Sequence, residues 1–478
     1  MVGPTARRDA VVALTLAAVL AGSATGAQNL AAPPPQVVSP VPQPPLTVAD
    51  GEAIEHALMA APEFAFPAQL EGASGALRSR DPKERAAAEA ALSKAAVTLA
   101  EAEHGRLADP TAADPNWALR ETYDAAADFA AARTNGQVAA WAQALPRRDA
   151  AYLALLDAQK RYEAIRAHGG WKKLHAGLSL ARGAKGPAVL AVRARLAREG
   201  YDVAKSGKAF DGNLAAAVTE FQSRHGLAAT GALNSATVTA MNVPVDKRLE
   251  AIAANLERDR WLPQTLPPDR IEADIAGATA TFFQDGKPAL QMRTIVGDTK
   301  HETPMLESHI SSIQFNPAWH VPKDIARAEL WPKEARSHSY FRRHGYSVVN
   351  GQLVQHAGPK SSLGRIKFEM PNPFSVYLHD TPGRSLFAVD ARGRSHGCVR
   401  LEKPNQLAAA LLAGQGWDEA RVQAMIDKRE TRWVKPSQTV AVFLVYRTAE
   451  AIDDGPVIFR PDPYGWDPKL EAALSPSQ

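Results

Sequence analysis

Two hydrophobic periods divide this chain. Between Ala49 and about His175 apolar positions recur at helical spacing in alanine-rich text, and two helix starts stand out. Asp81-Pro82 precedes "KERAAAEAALSKAAVTLAEAEHG" and Asp114-Pro115 precedes "NWALRETYDAAADFAAAR". An acidic cap followed by proline favours a first helical turn, so both stretches are predicted helices. Next, "GPAVLAVRARLAREGYD" sets Val189, Val192 and Leu196 three and four residues apart, and Leu214, Val218 and Phe221 share one face of the following segment. Gly226 and Gly231 supply turns and Asn234 a cap before a third short helix. From Arg270 onward the period becomes two. "ATATFFQDGKPALQMRTIVG" reads as two strands joined at Asp285-Gly286, a hairpin signal. "TVAVFLVYRT", Thr439 to Thr448, is apolar nearly throughout, as a central strand is. In "FSVYLHD" the alternation puts Phe374, Val376 and Leu378 on one face and Ser375, Tyr377 and His379 on the other.

The ends and the charge narrow the class. Arg7 and Arg8 precede "AVVALTLAAVLAG" and then the small residues "SATGAQ", the layout of a secretory signal over residues 1–27. The apolar run is short for a bilayer span, so cleavage near Ala24 or Ala27 is expected, and with it export. Left uncleaved, the same segment would anchor the protein in the membrane. "AAPPPQVVSPVPQPPLT" follows, within a proline-rich linker over 28–48. A net charge of +4 over 478 residues gives no basic field, which argues against nucleic acid as a partner.

Export sharpens the question of the one cysteine, Cys398, in "SHGCVR". An oxidising compartment favours paired cysteines, and a single one cannot form an internal disulfide. A thiol reacts as thiolate, and its ordinary pKa of about 8.5 calls for a base or a positive charge beside it. His396 lies two residues away, and His379 ends the preceding predicted strand. A histidine can take the thiol proton and return it to a leaving amine. Gly397 permits a sharp turn whose amides could face an oxyanion. Together these residues describe acyl transfer through a thioester. Two other readings use the same residues: a zinc site of His379, His396 and Cys398, without a fourth ligand at metal-like spacing, and an inert buried thiol.

"YLHDTP", Tyr377 to Pro382, with "SLFAVDARGRSHGCVRLEKP", Ser385 to Pro404, resembles the active-site signature of the L,D-transpeptidases. "NLERDRWLP", "FNPAWHVP" and "GPKSSLGRIKFEMPNPFSVYLHD" are similar to the large periplasmic members of that family. "FQSRHGLAATG" resembles the core of a peptidoglycan-binding module. The resemblance implies a multidomain α+β chain: a helical scaffold domain at 49–175, a three-helix peptidoglycan-binding module at 176–244 and a β-sandwich catalytic domain at 245–448, with a tail at 449–478.

It also implies roles. Cys398 would be the nucleophile and His379 the general base and acid, oriented by the backbone carbonyl of Asp380. His396 would shape the turn, the amides of Gly397 and Cys398 would form the oxyanion hole, and Tyr377 would line it. Ser395 and Arg400 also match the motif and, with Trp331, are expected to bind substrate. Arg400 has two readings, an anchor for a substrate carboxylate and an internal salt bridge. The family acts on peptidoglycan stem peptides and glycan strands, needs no metal or cofactor, and is acylated by carbapenems; peptidoglycan synthases are further partners to expect. The implied reaction is 3-3 cross-linking with release of D-Ala. An L,D-carboxypeptidase and a non-catalytic wall-binding scaffold are the alternatives. Residues 321–365 interrupt the strand pattern with helical and basic text, and Trp331, Tyr340 and Phe341 make them a substrate lid or, otherwise, a solvated excursion.

Overall fold

The computed structural model describes residues 43–474 apart from 62–63, 65–69, 71, 106–109, 120–122, 205, 390 and 453–454. The expected signal segment and most of the proline-rich linker lie outside the described residues. The chain is a mixed helical and sheet structure.

Strands β1 (Trp117–Ala118), β2 (Arg270–Asp274), β3 (Thr279–Gln284), β4 (Lys287–Gly297), β5 (Met305–Ile310) and β6 (Ser312–Phe315) come first in the chain. Strands β7 (Trp319–His320), β8 (Tyr346–Val349) and β9 (Gln352–Gln355) form a separate small sheet. Strands β10 (Ile366–Glu369), β11 (Leu378–His379), β12 (Gly393–Ser395), β13 (Val399–Leu401), β14 (Arg432–Val434) and β15 (Val440–Val445) complete the large one. Its order is β1-β5-β15-β2-β3-β4-β13-β11-β10-β6-β14, with β12 pairing β4 beside the main path. The sheet is continuous, and the long strand β4 joins its two halves by pairing β3 through one part of its length and β13 through another.

The strongest local signals take their expected form. Asp285 and Gly286 both adopt positive φ, 50° and 75°, between β3 and β4, which is the backbone that a tight antiparallel hairpin requires. The apolar run at 440–445 is a central strand, parallel to β2 on one side and antiparallel to β5 on the other, with Val442, Phe443 and Leu444 fully buried. Burial on both faces leaves no position for a polar residue, and alternation is therefore absent there.

Helices Val48–Ala60, Pro82–Glu103, Ala125–Thr134 and Val138–Ala144 enclose a core of Ile54, Leu92, Leu99, Phe129 and many alanines. Asp81 caps the second of these, accepting from the Lys83 amide. The Asp114-Pro115 signal does not start a helix. Asp114 instead accepts from the Asn116 amide and pairs with Lys469 at 2.7 Å, and Trp117 enters β1 with no exposed surface. The helix begins at Ala125 under an Asp124 cap. Tertiary burial of a tryptophan, worth about 3 kcal/mol, outweighs a start signal worth about 1 kcal/mol.

Helices Pro187–Arg198, Gly212–Arg224 and Ser235–Met241 surround Val189, Val192, Leu196, Leu214, Val218 and Phe221. Gly226 and Gly231 have φ of 65° and 68° in the connecting turns, and Asn234 accepts from the Thr237 amide. Helix Val245–Arg260 then packs on Ala150–Ala167, with a hairpin at Ala449–Glu450 and Ile458–Phe459 completing that layer. In the expected tail, Trp466 and Leu470 are fully buried against the large sheet.

Residues 319–355 carry their own small core of Val321, Ala326, Leu330, Phe341, Tyr346 and Leu353, built on the β7-β9-β8 sheet. Ala326–Leu330 is a π-helical turn, a rare form frequent at functional sites.

Candidate active site

Strands β10, β11 and β13 lie side by side and assemble the site. In register, Lys367 on β10 faces His379 on β11, and His379 faces Arg400 on β13. Residues directly opposite on neighbouring strands share a sheet face, so a histidine stands between two cations. The expected strand through Phe374 and Tyr377 is shorter than the alternation suggests. Ser375 has φ of 55°, and Asn372 accepts from the Phe374 and Val376 amides, so the segment turns before entering β11 at Leu378. Val376 and Leu378 are still buried, and the aromatic ring of Tyr377 meets His379 edge-on at 5.7 Å.

His379 is almost fully buried, and its Nδ1 lies 2.5 Å from the Asp380 carbonyl. A carbonyl only accepts, so Nδ1 carries the proton and Nε2 is the basic nitrogen. Burial, with the Arg400 and Lys367 charges, drives the imidazole pKa down to about 3, against the pull of the Asp380 and Leu363 carbonyls. It is therefore neutral at physiological pH. The Asp380 carboxylate does not touch the ring. It accepts from the Arg365 amide at 2.8 Å and pairs with Arg384 at 3.3 Å.

Cys398 is half-buried, and burial pushes its thiol up from the ordinary value. The Tyr377 amide and hydroxyl and the Lys367 and Arg400 charges act in the opposite direction by favouring the anion. Among the described residues no hydrogen bond joins the thiol to His379; the thiol is turned to Tyr377. Catalytic contacts often tighten only when substrate is bound.

The turn holding Cys398 is fixed from below. Gly397 has φ of 100°, which a side chain would strain. Its carbonyl accepts from the Thr303 hydroxyl at 2.8 Å, and that hydroxyl in turn accepts from the Gly297 amide at 2.9 Å. The Gly397 carbonyl and the Cys398 amide belong to one planar peptide and point oppositely. Thr303 therefore aims the Cys398 N–H away from the core. Neither the Gly397 nor the Cys398 amide donates to a protein acceptor among the described residues. Ser395, expected at the substrate, is buried and donates its hydroxyl to the Cys398 carbonyl at 2.5 Å. Its place is in the turn.

His396 does not join His379. Its Nε2 is 2.6 Å from Glu329 on the π-helical turn, and its ring lies 4.5 Å from that of His301. Among the described residues no group of three or more histidine, cysteine or acidic side chains is arranged to hold a metal ion. Arg400 forms no salt bridge among the described residues, and its Nε is buried without a partner. Trp331 is half-exposed, edge-on to Phe341 at 5.0 Å within the insertion, and shares no hydrogen bond or ring contact with Cys398, His379 or Tyr377 among the described residues. Sequence reasoning did not single out Lys367, Thr303 or Glu329. Lys367 alternates with buried Ile366 and Phe368 and so shared a visible pattern with a strand face; Thr303 and Glu329 sit in loop and helical text with no signal at all.

Residues 268–423 match the family model of the L,D-transpeptidase catalytic domain, and residues 185–241 match one described as "Putative peptidoglycan binding domain". A Haemophilus influenzae protein described as "Putative L,D-transpeptidase" is 32% identical over 256 residues, 49% of this chain and 52% of that one. The matched region thus spans about half the length of that curated relative. Among solved structures, an L,D-transpeptidase from Xylanimonas cellulosilytica is 16% identical over 55% of this chain and 95% of its own, with a TM-score of 0.21. One from Stackebrandtia nassauensis is 14% identical over 55% and 93%, with a TM-score of 0.23. The sheet region that holds Cys398 and His379 thus matches the L,D-transpeptidase catalytic-domain family, and the helical module before it matches a putative peptidoglycan-binding one.

Proposed function

We propose that the protein is a peptidoglycan L,D-transpeptidase that forms 3-3 cross-links through a thioester on Cys398. The observation that supports this most is the meeting of a lone thiol, a buried imidazole whose Nδ1 is held by the Asp380 carbonyl and two amides without acceptors among the described residues, inside a region that matches the catalytic domain of that family. The thiol turns from Tyr377 toward His379, gives its proton to Nε2, and the sulfur attacks the carbonyl of the third stem residue. The oxyanion takes up the Gly397 and Cys398 amides. As it collapses, the C–N bond to the terminal D-Ala breaks, and the leaving amine takes the proton from the imidazole. The side-chain amine of a second stem then attacks the thioester, its proton passes to His379, and the C–S bond breaks to restore the thiol. Carbapenems, whose strained ring offers a similar carbonyl, acylate the same sulfur.

Three further roles belong to this reading. Residues 321–365 act as a lid over the nucleophile turn, supported by the contact between Glu329 and His396. The 185–241 region holds glycan strands near the site. The segment led by Arg7 and Arg8 exports the chain to the periplasm, where stems and the synthases that lay down strands are found.

The test is mass spectrometry of purified disaccharide-tetrapeptide after incubation with the mature protein, beside Cys398→Ala. Dimers lacking one D-Ala, absent with the variant, are the expected products. Tripeptide monomers alone would assign a carboxypeptidase, and equal turnover by the variant would refute the cysteine mechanism.

A further inference from the structure

The row Lys367, His379, Arg400 across three adjacent strands includes two residues, Lys367 and Arg400, to which the reaction above gives no part. Lys367 Nζ sits 3.9 Å from the centroid of the Tyr377 ring and 2.8 Å from Glu369 Oε1. Its side chain is only 16% exposed, whereas Glu369 is 32% exposed, so the ammonium is held in the site and its counter-ion stands at the rim. A cation over an aromatic face is attracted by the ring quadrupole, more strongly as it is desolvated. The ring it holds is the one whose hydroxyl reaches the thiol.

The groups around Cys398 come from three strands and from its own turn. Strand β10 contributes Lys367 and Glu369, the segment into β11 contributes Tyr377 and His379, and β13 contributes Arg400. The nucleophile's own turn contributes His396, which is engaged by Glu329 and lies beside His301. Two cations therefore bear on the sulfur. Arg400 makes no ion pair among the described residues; Lys367 has one adjustable partner.

We infer that Lys367 is a positioning residue of this site, fixing the Tyr377 phenol against Cys398 and supplying, with Arg400, the positive field in which the sulfur anion forms, while Glu369 sets how much of that field is felt. The inference rests on reading Cys398 as the nucleophile. It assigns separate tasks to the two sides of the sheet row: the cations disfavour a resident proton on His379 and favour charge on sulfur, so a proton taken up by the imidazole is passed on rather than kept.

Iodoacetamide alkylation of Cys398 against pH, followed by intact mass on the full-length mature chain, tests this. Strands about 4.8 Å apart put Lys367 about 10 Å from the nucleophile strand, and a unit charge there at an effective dielectric of about 20 moves the thiol by roughly half to one pH unit after the Glu369 offset. Lys367→Met is expected to raise the alkylation midpoint by that amount, slowing the rate at neutral pH about three- to tenfold. Lys367→Arg is expected to return it to within about a third of that shift, and Glu369→Gln to lower it. A merely structural role would not move two variants in opposite directions. If Lys367→Met does not fold by circular dichroism, Glu369→Gln decides alone. An unchanged or raised midpoint in Glu369→Gln, or an unchanged midpoint in a folded Lys367→Met, overturns the inference. Alkylation reads the thiol whether or not the chain cross-links stems, so a normal set of shifts with no dimer formation would sink the transpeptidase reading and leave this one standing.

Discussion

Replacing Thr303 by valine removes one buried hydroxyl and keeps the side-chain shape. Two backbone groups lose their partner at once: the Gly397 carbonyl, 2.8 Å away, and the Gly297 amide, 2.9 Å away. Thr303 has no exposed surface, so water cannot replace the bonds. Each unsatisfied buried group costs about 1–3 kcal/mol, and the pair, being neighbours, about 2–4 kcal/mol together. Part of that penalty will be relieved by rotation of the Gly397–Cys398 peptide, which turns the Cys398 N–H away from an oxyanion. Loss of one such donor is worth about 10²–10³ in rate, and partial loss about 10–100-fold. Thr303→Ser keeps both bonds and gives up a methyl, about 1 kcal/mol. The assay pairs urea unfolding, followed by tryptophan fluorescence, with the dimer yield from disaccharide-tetrapeptide. A valine variant within about 0.5 kcal/mol of the parent, with unchanged yield, would show that Thr303 does not hold the turn.

The remaining predictions concern protons, a carboxylate and the insertion. Because His379 titrates near pH 3 when folded and near 6.5 unfolded, the unfolded chain binds the extra proton between those values; stability present above pH 6.5 is lost progressively as pH falls toward 3. His379→Gln should flatten that acid limb in urea midpoints, and equal limbs would disprove the neutral imidazole. The same neutrality predicts that the His379 limb of kcat/KM stays flat from neutrality down to about pH 4, whereas a limb centred near 6.5 would contradict it. Asp380→Asn should keep turnover within about fivefold, since the carbonyl and not the carboxylate holds His379; a loss near 10⁴-fold, as when a triad carboxylate is removed, would overturn that assignment. Glu329→Ala removes the contact to His396 and should expose residues 326–345 to limited proteolysis, read by fragment mass, with unchanged cleavage counting against a latch.

Much of the site was legible because its chemistry is local. Tyr377, His379 and the Ser395-to-Arg400 turn are close in sequence, and the positive φ of Gly397 follows from the residue itself. Similarly, Asp285-Gly286 and the unbroken apolar run of β15 encode their own geometry. What failed depends on partners far along the chain. Asp114-Pro115 reads as a helix start until Trp117 finds Trp261 and Trp466, at 5.7 and 5.8 Å. Ser395 and Trp331, by contrast, meet partners near in sequence: Ser395 donates to the Cys398 carbonyl and Trp331 packs on Phe341 within the insertion. Thr303 supports the turn from 94 residues away, and no local pattern could announce it.

Strand β1 comes from the helical region yet pairs in parallel with β5, Trp117 opposite Met305, at one margin of the large sheet. A sheet margin with open amides and carbonyls invites pairing with another chain. The helical region thus acts as a cover for an adhesive edge, whatever else it does. Cutting the chain before Val245 would free that edge and take away the tryptophan lodged against the core. The excised piece should self-associate on concentration, because β5 would then present its unpaired edge to a second copy.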